Sequence, residues 1–172
     1  MAILPIRIYP DPVLREVAAR VSAFDGALRA LAHDMVETMH AAPGVGLAAP
    51  QVGVSLRLAV VDLTVGKEPG ELRVLVNPEL LEPEGSEVEE EGCLSIPGFL
   101  EKVERPARVR VRAQDLAGAA FEFAAEQWLA RAVCHEVDHL EGVLFVDHLR
   151  GLKRERARRQ LKRLAATREV TV

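Results

Sequence analysis

Between residues 25 and 42 apolar side chains return every three or four positions, at Leu28, Leu31, Met35, Val36 and Met39, while His33, Asp34 and Glu37 fall on the opposite side. That period predicts an amphipathic helix. A second helical stretch runs from about 125 to 141, where Leu129, Val133, Val137 and Leu140 make one apolar row and Trp128, Ala132, His135 and His139 make the next, with Gly142 as a stop. Two adjoining rows predict a helix that is largely buried. Short, mostly alternating apolar runs take over at 56–62, 72–77, 109–112 and 121–124 and are expected to be strands, with 115–118 as a hairpin-type turn.

Between these elements the pattern is less regular. Pro5-Ile6-Arg7-Ile8-Tyr9-Pro10 is too rich in proline for a central strand and reads as an extended arm. Asp11-Pro12 reads as an N-cap followed by proline at the first helical position, opening a short turn through Leu14 and Val17. Residues 83–92 read as an acidic, glycine-punctuated loop. Helices interleaved with antiparallel-looking strands predict an α+β fold: short antiparallel strands packed around the helix at 125–141, an N-terminal amphipathic helix and a C-terminal basic helix. No internal repeat is present.

With 172 residues, 49% of them apolar, residues 1–172 are expected to form one domain with room for a core. No apolar run is long enough to span a membrane, and the start, Met1 to Pro5 followed by Arg7, lacks the basic opening and long apolar stretch of a secretory signal, so a cytoplasmic protein is expected. Cys93 and Cys134 lie far apart, which argues against a disulfide framework and allows a thiolate ligand. The net charge of −4 hides an asymmetry. Residues 148–172 hold nine of the 22 Lys and Arg but only two of the 26 Asp and Glu, so an acidic body carries a basic tail over 150–172.

The chemistry concentrates at His135-Glu136-Val137-Asp138-His139. On a helix the i, i+4 relation separates the two imidazoles by only about 40°, so both leave one face a turn apart and can share an ion. Glu136, about 100° round, can reach a water on that ion as a general base without ligating it. The plainer account is a pair of hydrogen-bonded packing histidines on a core helix. Two further runs stand out. Gly44-Val45-Gly46-Leu47-Ala48-Ala49-Pro50-Gln51 is neither helix nor ordinary turn, and its glycines would let something approach the backbone; no Gly-Lys-Ser/Thr follows, so it is not a phosphate loop. Glu91-Gly92-Cys93-Leu94-Ser95-Ile96-Pro97-Gly98 places a cysteine where a small buried hydrophobe is the ordinary reading, yet a two-histidine site lacking a third ligand makes Cys93 a candidate.

The runs at 44–51, 91–95 and 135–140 resemble, in order and separation, the three signature motifs of the peptide deformylase family. Similarity extends to Pro10-Asp11-Pro12-Val13-Leu14, Asn77-Pro78, Arg105-Pro106 and Gly142-Val143-Leu144-Phe145, and so to nearly the whole chain. The resemblance implies a mononuclear site of Cys93, His135 and His139 with water in the fourth place, removing the formyl group from N-formyl-methionyl peptides in protein biosynthesis. It implies one divalent ion per chain, Fe2+ expected, with Zn2+, Ni2+ or Co2+ as alternatives. Glu136 would be the catalytic base, and the oxyanion would take hydrogen bonds from the side-chain amide of Gln51 and the backbone N–H of Leu94. A thiolate ligand should also leave the site sensitive to oxidation.

Specificity is expected from an apolar pocket for the methionine side chain walled by Val45, Trp128 and Ala132, with Gly92 beside it and the backbone at Gly44 to Gly46 pairing with the peptide by strand addition. The chain departs from the family at Cys134, which stands where glutamine is usual and, about 100° from His135, is expected to pack rather than ligate, and at Pro43 ahead of the glycine run. His33, His40 and His148 have no partner spacing and read as surface or capping residues. The tail helix, Leu152 to Leu164, either packs through its leucines with a solvated basic face or contacts ribosomal RNA where new chains emerge. No DNA or membrane partner is expected. Two rivals stand beside this reading. A metallopeptidase cutting internal bonds would ordinarily recruit a downstream third ligand, and a non-enzymatic domain working through its basic tail would hold no stoichiometric metal.

Overall fold

The structure is a computed structural model and describes residues 2–169. The first amphipathic run folds as α1 (Gly26–Ala41), where the carboxylate of Asp25 caps the helix by accepting the Leu28 N–H at 3.0 Å. The chain continues through β1 (Gly46–Ala48), a 3-10 turn (Ala49–Val52), β2 (Leu58–Val61), β3 (Arg73–Glu84), the hairpin of β4 (Glu87–Cys93) and β5 (Ile96–Arg105), β6 (Arg108–Gln114), β7 (Ala120–Glu126), α2 (Gln127–Leu140) and α3 (Gly151–Glu169). The fold is α+β. Five strands form one antiparallel sheet in the order β1-β2-β3-β6-β7, and β4 with β5 forms a separate two-stranded ribbon.

Strand periodicity sorts the core into two sides. Leu58 and Val60 of β2, with Val76 of β3, pack against Met35 and Met39 of α1, while Val61 and Leu75 face Ala130, Val133 and Val137 of α2. A strand covered on both faces reads as a continuous apolar run, which is why Leu58-Ala59-Val60-Val61 does not alternate with polar residues. Each large side chain taken fully out of water there contributes roughly 1.5–3 kcal/mol. On its other side α2 meets the β4–β5 ribbon, so it is buried almost all round, as its two apolar rows predict.

Two irregularities tie loops to this frame. Asn77 sits in the left-handed region at φ 50°, at a register shift in β3, and its amide bonds Val21 O, Val21 N–H and Gln114 Oε1 at 2.8–3.0 Å. The N-terminal arm is extended as predicted, with the Arg7 N–H donating to Gln51 O at 2.7 Å and the Tyr9 N–H to Ser95 O at 2.9 Å.

The structure corrects several expectations. Residues 83–92 are not a loop: β3 continues through Glu84 and β4 begins at Glu87. Glu89 and Glu90 of β4 face water while Glu91 turns inward and is buried, and tertiary pairing overrides the poor strand propensity of the run. Its partner β5 carries no clean alternation and was not expected as a strand. The turn after Asp11 covers only Pro12–Arg15, leaving Leu14 buried but Val17 69% exposed. Part of the glycine run, Gly46–Ala48, is a strand. α3 docks on the ribbon: Ala157, Leu161 and Leu164 join Phe99 and Ile96, and Arg156 pairs with Glu101 at 2.7 Å. Residues 170–172 of the tail lie outside the described residues. Among those described, no helix is long and apolar enough to cross a membrane.

Candidate metal centre

α2 presents His135 and His139 from one face, ring centroids 5.0 Å apart, and the end of β4 brings Cys93 to them. One ligand atom from each of the three lies within 4.8 Å of the others. Cys93 Sγ is 3.3 Å from His139 Nε2. A tetrahedral ion with metal–sulfur and metal–nitrogen bonds of about 2.3 and 2.0–2.1 Å would hold sulfur and nitrogen roughly 3.6 Å apart, so the donor set fits a single ion. The other ring nitrogen of His135, Nδ1, is engaged by Glu91 Oε1 at 2.8 Å, which orients that ring. Both thiols are free, and Cys134 points into the apolar cluster beneath α2, where burial pushes it up to about 11.

Glu136 faces the same space from the next position of the helix. Its carboxyl is buried, Oε2 has no hydrogen-bond partner, and burial pushes its pKa up to about 7 against the pull of His135. Gly46 makes the close approach of β1 to this carboxyl feasible, because a Cβ there would lie 2.9 Å from Glu136 Cδ. Gln51 is 1% exposed and locked at its oxygen by the Ala48 N–H at 3.0 Å, which aims its Nε2 at Ser95 Oγ, 3.1 Å away, and towards Cys93 Sγ at 3.6 Å. Leu94 occupies the two-residue turn that joins β4 to β5 directly after Cys93.

These groups lie in an open cleft of about 930 Å3. Gly44, Val45, Gly46, Gln51, Gly92, Cys93, Leu94, Trp128, Ala132, His135 and Glu136 all line it, and of the residues singled out in the sequence only His139 lies behind the wall. Pro43 also lines the cleft. Leu63, Phe99 and Leu100 add apolar surface that no motif marked.

Sequence reasoning also missed the buried ionic network behind His135. Glu91 accepts from Arg105 Nε and Nη2, both at 3.0 Å, and from Arg131 Nη1 at 3.1 Å, in addition to its contact with His135. Burial works against its charge, but the bonds from His135 and Arg105 outweigh it and hold the carboxyl at about 2. Arg105 continues to Asp138 at 2.7 Å, and Asp138 in turn meets His148 at 2.7 Å, so His148 has a partner after all. His40 likewise meets Asp62 at 2.9 Å, while His33 is exposed. The one signal available was position: Glu91 and Arg105 sit inside the stretches that carry the family resemblance.

An α+β fold that gathers two helix-borne imidazoles, a thiol and an unpartnered carboxyl at the base of a cleft defines a class, the hydrolases with a candidate single-ion centre. The polypeptide deformylase family model matches residues 3–155, and the chain belongs to that family of enzymes. Over 174 residues it is 54% identical to the peptide deformylase of Alkalilimnicola ehrlichii, covering 100% of this chain and 96% of the relative. Over 164 residues it is 51% identical to that of Acidobacterium capsulatum, covering 95% and 96%. The crystal structure of a peptide deformylase from Legionella pneumophila superposes with a TM-score of 0.89 at 47% identity, covering 98% of each chain.

Proposed function

We propose that residues 1–172 form one catalytic domain that hydrolyses the N-terminal formyl group of formyl-methionyl peptides, releasing formate and a free amino terminus. The observation that carries this reading is the convergence of Cys93, His135 and His139 within 4.8 Å beside the unpartnered Glu136 carboxyl. Those three side chains would hold one divalent ion, Fe2+ by the family's habit, with Zn2+, Ni2+ or Co2+ as substitutes. Such an ion supplies Lewis acidity, which brings the pKa of water from about 15.7 towards roughly 7 and polarises a carbonyl.

The chain's own residues do the rest. Glu136 takes a proton from the water that attacks the formyl carbon, then returns it to the departing amine nitrogen, so proton and bond changes balance. Gln51 Nε2 and the Leu94 N–H donate to the oxygen as it becomes an oxyanion, each worth about 3 kcal/mol. Val45, Trp128, Ala132 and Gly92 bound the methionine pocket, while the backbone at Gly44 to Gly46, leading into the edge strand β1, pairs with the peptide backbone whatever its sequence. Formate release from formyl-Met-Ala-Ser, with none of the cleavage of blocked casein expected from a metallopeptidase, supports the reading; the opposite pattern overturns it.

The site of action proposed is the cytoplasm, where formylated chains are made. Arg154, Arg158, Arg159 and Lys162 on the outward face of α3 form a basic stripe suited to ribosomal RNA phosphates. Co-sedimentation with ribosomes that persists after deletion of residues 153–172 would remove that contact from the account.

A further inference from the structure

Arg131 leaves α2 one turn before His135 and ends inside the ribbon that carries Cys93. The residue is 4% exposed, and its guanidinium hydrogen-bonds to that ribbon: Nη1 donates to Val103 O at 2.8 Å, Glu91 Oε2 at 3.1 Å and Glu89 O at 3.4 Å, and Nη2 to Glu87 O at 2.9 Å. The Trp128 ring lies 5.9 Å from the guanidinium carbon. A buried cation needs several acceptors to offset its lost hydration, and the planar guanidinium reaches carbonyls on both strands at once. Neutralising Glu91 does not require it, since Arg105 already makes a two-pronged pair with that carboxylate.

The apolar packing shows what Arg131 adds. The apolar side of α2 packs on the five-stranded sheet, whereas Ile96, Phe99, Val103 and Cys93 of the ribbon pack with Leu14, Phe145 and α3. Neither cluster bridges α2 to the ribbon. That junction is polar, and it is where the two imidazoles from one element must meet the sulfur from the other.

We propose that Arg131 is a positioning residue for the metal centre: by clamping both strands of the β4–β5 ribbon to α2 it sets the separation of Cys93 from His135 and His139, and through Glu91 it steadies the His135 ring. The inference rests on the metal-centre reading above. Partners that orient metal ligands change affinity about 10- to 100-fold when removed, and Arg131 acts one residue further out, so the low end applies.

The test uses cobalt-substituted protein, following cobalt release to excess chelator and the visible spectrum that reports thiolate ligation and coordination number. Arg131→Met is expected to release cobalt about tenfold faster with an altered spectrum. Arg131→Lys, which keeps the charge but cannot span two strands, should fall between it and the wild type, and it decides the matter if Arg131→Met does not fold. Met35→Ala, on the buried face of α1, serves as a destabilised control with wild-type release. Because Arg131 also lines the cleft, a raised KM with unchanged cobalt release and spectrum would make it a pocket residue only and overturn the inference. Wild-type protein that takes up no cobalt would overturn the centre itself, and this inference with it.

Discussion

Gly46→Ala probes the approach of β1 to Glu136 with the smallest available change. The added methyl would stand 3.0 Å from Glu136 Cγ and 2.9 Å from Cδ, where ordinary carbon contacts are about 3.5–4.0 Å, so carboxyl or strand must yield by roughly 0.5–1 Å. Neither moves freely. Glu136 is fixed by a buried helix, and Gly46 is paired with Val61 in the sheet. Overpacking of this kind costs about 1–3 kcal/mol of stability, which leaves a folded protein, whereas a misplacement near 1 Å costs about 100-fold in rate. The expected result is kcat/KM for formate release reduced between about 10- and 100-fold, with metal content unchanged. Gly70→Ala is the matched control, since nothing lies within 4 Å of its Cβ position and activity should be unaltered. Metal-loaded Gly46→Ala protein with wild-type kcat/KM would refute the claim that Glu136 must hold this position.

Two other perturbations separate the roles assigned to neighbouring residues. Glu136→Ala should retain metal yet lose nearly all turnover, while Cys93→Ala should lose metal affinity; near-normal turnover in the first or full metal content in the second would show the roles misassigned. Asp62 offers a pH test remote from the centre: burial alone would raise its carboxyl, but bonds from the Thr64 hydroxyl, the Gly66 and Thr64 N–H groups and His40 outweigh it and hold it at about 2, below the ordinary 3.8. A depressed carboxylate contributes stability in full above its unfolded value, and that contribution is lost as pH falls from about 4 through 2; after solvent screening it is worth at most about 2 kcal/mol. Urea midpoints should therefore fall more steeply across that window in the wild type than in Asp62→Asn, and parallel curves would remove the assignment.

What could be read in advance was what one element dictates by itself. The rows of α2 and the cap at Asp25 follow from local periodicity and from the four free N–H groups that every helix start presents. The pairing of His135 with His139 needs only helical spacing. Cys93 is different: nothing local distinguishes a ligand from a small buried hydrophobe, and only the incomplete two-histidine site and the family resemblance join it to a helix some 40 residues away, where a 3.3 Å contact with His139 stands. The β4–β5 ribbon escaped because four of the seven residues of β4 are glutamate and Gly92 follows them, so composition signalled loop while long-range pairing made strand. Arg105 and Arg131 escaped for a related reason. A charged residue in a sequence reads as solvent-facing, and only the folded chain shows carbonyls and a carboxylate waiting around it.

The account as a whole turns on whether activity follows a single ion. Protein prepared without oxygen, stripped by chelator and titrated with ferrous iron, should release formate from formyl-Met-Ala-Ser in proportion to the iron added and level off at one equivalent per chain. Full activity in stripped protein holding no stoichiometric metal, or a plateau only at two equivalents, would contradict it.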